Sequence, residues 1–195
     1  MSEDIYLDRE QVVEPLNELS IALEARNTKA EIFLVGGSAM SLCYSPRRLT
    51  RDLDAVFEPK TIVYQIAKEI ADTRGMPESW LNDGVKGFLP GDDHEANVFF
   101  ESEWLTVRVA SPRYLFLLKA FASRIGGDED DLKTLWPLTG FNNVAEAMTA
   151  LEEAYWSDPA QINHPECERT DHNSYGREAH VEQKTCARTS HHQNC

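Results

Sequence analysis

The segment from Ile32 to Phe57, IFLVGGSAMSLCYSPRRLTRDLDAVF, constrains the fold more than any other stretch of the chain. It opens with a short β-rich run that ends at Gly36 and Gly37, and a helix with Ser38 as its N-cap is predicted to follow. A second β-rich run, LTRDLDAVF, closes the segment. The order strand, glycine turn, helix and strand predicts an α/β (α+β) fold.

The remaining segments predict a small mixed, twisted sheet flanked by helices, followed by a helical C-terminal part. Apolar residues recur at helical spacing from Arg9 to about Ala30, ANVFFES and WLTVRVA read as a hairpin, and SPRYLFLLKAFASRIG reads as a helix with Ser111 as its N-cap. We divide the chain into residues 1–110, a helical part at 111–156 and a polar, flexible tail at 157–195.

Composition and charge limit the classes of function. A formal net charge of -14 argues against a protein that coats nucleic acid duplexes, because phosphate binding requires clustered Lys and Arg. The one tight basic cluster is Arg47, Arg48 and Arg51. There is no apolar run long enough to span a membrane and no basic, apolar leader at the N-terminus, so we expect a cytoplasmic protein without a membrane partner.

Asp52 and Asp54 are two carboxylates on one β-rich run. Residues i and i+2 of a strand point to the same face, so the two side chains project together while Leu53 and Ala55 turn into the core. Two such charges about 6 Å apart repel by roughly 3 kcal/mol at an effective dielectric constant of about 20. A bound cation relieves this repulsion, and hard oxygen ligands suit Mg²⁺ or Mn²⁺.

The glycine turn suits a phosphate. Gly36 and Gly37 allow the backbone to approach a ligand closely, and a helix that begins at Ser38 points free N–H groups at an anion. A metal on the aspartates and a phosphate on the turn would meet at one place, which indicates a metal-bound nucleotide. Taken separately, each signal also has an ordinary explanation, since glycines are common in turns and solvated acids are common on edge strands.

In combination these residues match a known signature. A hydrophobic residue, GGS, thirteen intervening residues and DLDAV lie between Val35 and Val56. This pattern resembles the polymerase-β-type nucleotidyltransferase superfamily, and within it the AbiEii-type toxins and the mycobacterial MenT toxins. ESWLNDGVKGFLP at 78–90 and YLFLLKAFASRIGGDEDDLKTL at 114–135 carry the closer resemblance, which covers roughly residues 30–137.

The resemblance implies a nucleotidyltransferase fold, with a catalytic core at 1–110 and an active site completed by 111–156. It implies that Asp52 and Asp54 hold Mg²⁺ or Mn²⁺, that Lys119 neutralises phosphate charge and that Asp131 completes a distal site, with Asp128 as a less certain acid.

The same resemblance implies a nucleoside triphosphate donor, CTP or UTP in particular, bound by Gly36, Gly37, Ser38, Arg48 and Lys119. The implied acceptor is the 3′ end of tRNA, where added nucleotides would block aminoacylation and translation. A cognate antitoxin protein is the implied partner.

One position departs from the superfamily pattern. Many relatives carry a third carboxylate on a later strand, where this chain has Arg108 within LTVRVAS. Either another acid such as Asp131 activates the acceptor hydroxyl, or the metal does.

Several of these residues have simpler explanations. Lys119 could extend from an apolar helix to solvent, Asp128 and Asp131 could cap a helix, and the arginine cluster could be a solvated loop. Phosphorylation of Thr50 would place about two negative charges beside Asp52 and disable metal binding, which makes Thr50 a candidate regulatory site.

Two other functions remain open at the level of sequence. The same scaffold could transfer a nucleotide to a protein or to a small molecule such as an aminoglycoside. Alternatively, the chain could be a catalytically silent protein whose acidic body binds a partner.

Overall fold

The computed structural model describes residues 9–45, 49–85, 87, 89–122 and 128–156. In this part of the chain, a five-stranded mixed β-sheet is flanked by six α-helices. The predicted α/β (α+β) fold class is confirmed. The predicted tail at 157–195 lies outside the described residues, and no described helix is long and apolar enough to cross a membrane.

Helices and strands are interleaved along the chain. They are α1 (Arg9–Ala25), β1 (Ala30–Leu34), α2 (Gly36–Ala39) with a π-helical turn (Met40–Tyr44), β2 (Leu53–Glu58), α3 (Lys60–Arg74), a 3₁₀ turn (Glu78–Trp80), β3 (Leu81–Asn82), β4 (Asn97–Glu101), β5 (Leu105–Val109), α4 (Pro112–Phe121), α5 (Glu129–Leu135), a second 3₁₀ turn (Trp136–Leu138) and α6 (Val144–Trp156).

The strand order is β3-β2-β1-β5-β4, so β1 lies at the centre of the sheet. Strand β1 is antiparallel to β2 and parallel to β5, while β4 and β5 form the predicted antiparallel hairpin. The register pairs Leu34 with Ala55. Since β1 ends where β2 begins, the glycine turn after β1 lies beside the aspartates at the start of β2.

Alternation along the strands separates the two faces of the sheet. One face is apolar and belongs to the main hydrophobic core, together with the apolar stripe of α1. Its buried residues are Ile32, Leu34, Leu53, Ala55, Phe57, Leu105, Val107 and Val109 from the strands and Val12, Leu16, Leu19 and Leu23 from α1. The opposite face carries Phe33, Asp54, Val56 and Arg108 and is partly open.

Helix α4 is attached to the more open face. Ser111 caps it as predicted, since its hydroxyl accepts the Tyr114 backbone N–H at 3.2 Å and Pro112 follows at the first helical position. The Tyr114 ring meets the edge of Phe33 at a centroid distance of 5.4 Å. Because Tyr114 and Leu115 belong to the same core cluster as the strands, the region at 1–110 and the helical part at 111–156 share one core.

One local prediction is wrong, and one short strand was missed. Helix α2 begins at Gly36, so the predicted N-cap at Ser38 lies inside the helix. Strand β3 was not predicted, because two residues within ESWLNDG are too few to show an alternating pattern.

Candidate active site

The glycine turn lies directly against Asp54. The Val35 backbone N–H donates to the Asp54 carbonyl oxygen at 2.9 Å, which continues the β1–β2 pairing into the turn. Gly36 has φ of +61°, and a Cβ atom built there would lie 2.7 Å from Asp54 Oδ2. Only glycine fits this position without moving the carboxylate.

The two sequence-predicted carboxylates interact electrostatically. Burial and then the negative charge of Asp52 raise the pKa of Asp54 above its ordinary value. Hydrogen bonds from the Asn82 side chain and the Gly37 backbone N–H, and the positive charge of Lys119, oppose this shift. The structure therefore brings the aspartates, the glycine turn and Lys119 into one electrostatic neighbourhood.

Asn82 is a site residue that the sequence did not identify as functional. The parallel pairing of β2 with β3 places it opposite Asp54, and its Nδ2 donates to Asp52 Oδ2 at 3.3 Å. From the sequence, Asn82 could equally have been a capping or turn residue, and no periodic pattern marks β3. Strand pairing in the folded sheet is what brings Asn82 to the aspartates.

Lys119 is buried and bound to two acids. Its Nζ lies 2.9 Å from Asp128 Oδ1 and 2.7 Å from Asp131 Oδ2, and its side chain is 9% exposed. The explanation that Lys119 extends to solvent is therefore wrong. Asp128 occupies the N-cap position of α5, but its side chain makes no capping hydrogen bond. Its carboxylate accepts a hydrogen bond from Lys119 instead.

Ser38 and Thr50 both have buried side chains near the aspartates. The Ser38 hydroxyl donates to the Val35 carbonyl oxygen at 2.7 Å, and this side chain is fully buried. Ser38 thus holds the turn together and does not face an open site. Thr50 donates to the Asp52 carbonyl oxygen at 2.7 Å and is 7% exposed, so its phosphorylation would require local opening and stays a prediction.

The basic residues are distributed differently. Arg47 and Arg48 lie outside the described residues, and Arg51 is exposed. Arg108 shares the face of the sheet that carries Asp54, and within the described ranges no carboxylate lies within ion-pairing distance of it. It lies in a shallow groove of about 180 Å³, which is lined by Glu31, Ile32, Phe33, Val56, Phe57, Glu58 and Arg108.

The donor set suits a small divalent cation. Asp52 and Asp54 offer carboxylate oxygens, and within the part of the chain that the structure describes no group of three His, Cys, Asp or Glu side chains forms a metal cage. Magnesium is commonly bound through one or two carboxylates, with water and substrate phosphates completing its coordination. The repulsion that raises the pKa of Asp54 is the interaction that such a cation would relieve.

Comparison of the chain with models of protein families, with curated proteins and with solved structures gave no match. The resemblance to nucleotidyltransferases therefore rests on the sequence motifs alone.

Gly36→Ala is expected to lower the free energy of unfolding more than Gly75→Ala. Both glycines have positive φ, +61° and +67°, so both substitutions carry a backbone cost of about 1–2 kcal/mol. Gly75 has no atom within 4 Å of the added methyl group, whereas at Gly36 that group collides with Asp54. Urea unfolding followed by circular dichroism measures the difference, and equal losses would contradict the close approach of Gly36 to Asp54.

Asp54→Asn is expected to raise the melting temperature at pH 7 in the absence of metal. The folded state raises the pKa of Asp54, so stability is lost as pH rises from about 4 through that pKa, and the deficit persists above it. For a chain of this size, each kcal/mol relieved corresponds to about 2–4 °C. Scanning calorimetry between pH 4 and pH 7.5 should show the gain shrinking toward low pH, and a gain independent of pH would contradict the assignment.

Lys119→Met is expected to lower the free energy of unfolding by about 3–5 kcal/mol, because it leaves Asp131 buried without the lysine charge. Lys133→Met is the matched control, since Lys133 pairs with Asp130 on the same helix and its side chain is 72% exposed. It is expected to cost about 0–1 kcal/mol. Urea unfolding compares the two variants, and a similar small loss in both would mean that the Lys119 pairs contribute little.

Proposed function

We propose that this protein is a divalent-metal-dependent nucleotidyltransferase of the polymerase-β type, related to the AbiEii and MenT toxins. The observation that carries the proposal is the position of the GGS turn against Asp54, so close that a Cβ atom at Gly36 would lie 2.7 Å from the Asp54 carboxylate. The motif predicts that a phosphate-binding turn and a metal-binding pair act together. Their proximity in the fold supports that interpretation.

Each residue of the site has a proposed task. Asp52 and Asp54 hold Mg²⁺ or Mn²⁺, and the metal supplies neutralisation of charge on the triphosphate. Gly37 keeps the turn open to a ligand, because a Cβ atom there would meet nothing within 4 Å. Lys119 is paired with Asp128 and Asp131 and also acts on Asp54, and by the family resemblance its task is to neutralise phosphate charge.

The proposed reaction is the transfer of a nucleoside monophosphate. A 3′-hydroxyl oxygen of the acceptor loses its proton to a carboxylate of the site or to solvent and forms a bond to the α-phosphorus, the bond from that phosphorus to the bridging oxygen breaks, and pyrophosphate leaves with the electron pair. The protein contributes mainly position and charge. By the family resemblance, the donor is CTP or UTP, the acceptor is the 3′ end of tRNA, and a cognate antitoxin restrains the activity.

A second acceptor is favoured by one observation. The groove on the Asp54 face of the sheet contains Glu31 and Glu58 beside the single cation of Arg108. An acidic groove suits a cationic acceptor such as an aminoglycoside better than it suits RNA. Nucleotide transfer to a cationic small molecule is therefore the alternative within the same reaction class.

Radioactive labelling tests both acceptors. The purified protein, Mg²⁺ and each of the four α-labelled nucleoside triphosphates are incubated with total tRNA or with an aminoglycoside panel. We expect label from CTP or UTP in tRNA. Asp54→Ala should reduce labelling by about 100-fold or more, the scale on which loss of a group acting on transition-state charge is measured.

Asp72→Ala is the matched control, because Asp72 is an exposed aspartate on α3 and its removal changes the charge equally. It should label tRNA as the wild type does. Label in the aminoglycoside pool alone would favour the second acceptor. Labelling of neither pool, or equal labelling by Asp54→Ala, would overturn the proposed site.

A further inference from the structure

Asn82 joins the two aspartates of the candidate metal pair. Its Nδ2 donates to Asp52 Oδ2 at 3.3 Å. Strand pairing sets Asn82 opposite Asp54 in the backbone register. One neutral amide group therefore donates to Asp52 from a position in register with Asp54, the carboxylate that Asp52 repels.

The orientation of this amide is fixed from its other end. The Gly84 backbone N–H donates to Asn82 Oδ1 at 3.1 Å, so the oxygen side of the amide is occupied and the NH₂ side faces the carboxylates. A Cβ atom at Gly84 would lie 3.3 Å from the same oxygen, which shows how closely the backbone approaches it.

The residue after Asn82 is anchored to α3. Asp83 forms an ion pair with Lys60 at the start of that helix and accepts a hydrogen bond from the Tyr64 hydroxyl. These contacts hold the chain immediately beyond β3. The Asn82 amide is thus restrained both by its own hydrogen bonds and by its neighbours along the backbone.

We propose that Asn82 is a positioning residue that holds the Asp52 and Asp54 carboxylates in one arrangement, so that a divalent metal ion meets its two protein ligands already in place. This inference rests on the proposed function. A hydrogen bond from a neutral donor stabilises an ionised carboxylate and leaves its remaining lone pairs for a metal. The outer partners of metal ligands typically change metal affinity by 10-fold to 100-fold when they are removed.

Manganese binding tests the inference without any substrate. The dissociation constant of Mn²⁺ is measured by electron paramagnetic resonance of the free ion for the wild type, Asn82→Ala, Asn17→Ala and Asp54→Ala. Asn82→Ala is expected to weaken binding by about 10-fold or more. Asn17 is exposed on α1, so Asn17→Ala is expected to leave the dissociation constant unchanged.

Asn82→Asp tests whether the NH₂ donor of Asn82 matters or only the volume of its side chain. The aspartate has the same shape and keeps an acceptor for the Gly84 N–H, but it replaces the NH₂ donor with a third negative charge. Its melting temperature without metal is expected to fall below that of the wild type, and Mn²⁺ is expected to raise it by more than it raises the wild type. This variant also decides the matter if Asn82→Ala fails to fold.

The possible results distinguish the role of Asn82 from the proposed metal site on which it rests. Wild-type affinity for Mn²⁺ in Asn82→Ala, together with loss of binding in Asp54→Ala, would overturn the role of Asn82 and leave the metal site standing. A metal-free Asn82→Asp protein as stable as the wild type would overturn the donor role. A wild-type protein that binds no Mn²⁺ would overturn both the inference and the proposed metal site.

Discussion

The pairing of β1 with β2 is the constraint on which the candidate site depends. The antiparallel register Leu34 to Ala55 places the end of one strand beside the beginning of the other. Shifting a register by one residue would turn Asp54 from the partly open face toward the core, since side chains alternate along a strand. The apolar residues Leu53, Ala55 and Phe57 make that shift unfavourable, because they bury the other face of β2. The hydrophobic core thus determines where the carboxylate points.

Several negatively charged side chains lie near these strands, and their burial lowers the stability of the fold. Asp54 is partly buried beside Asp52, and Asp128 and Asp131 lie against the buried Lys119. Burial of ionised groups with incomplete compensation costs stability, and such arrangements concentrate at functional sites. Lys119 compensates Asp128 and Asp131, and the proposed metal ion would compensate Asp52 and Asp54.

Much of the fold was predictable from local sequence. Part of the candidate site was not, because its residues meet only in the assembled sheet. The alternation in LDAVFE fixed which side of β2 is buried, and SPRY predicted the start of α4, because both patterns depend on neighbouring residues. Asn82 and the Lys119 pairs could not be derived in this way. Asn82 acquires its partners through strand pairing with residues nearly thirty positions earlier, and Lys119 acquires Asp131 when α5 packs on α4. The predicted N-cap at Ser38 was wrong because helix α2 begins at Gly36 and has no side-chain cap.

The fit of Gly36 against Asp54 also couples the substitutions that the two positions can accept. A Cβ atom at position 36 would lie 2.7 Å from Asp54 Oδ2, so any other residue there requires the carboxylate to move. A lineage that lost the aspartate would be released from the collision, although the positive φ would still favour glycine or asparagine. Loss of the acid would therefore remove one of the two constraints on position 36 and leave the backbone constraint in place.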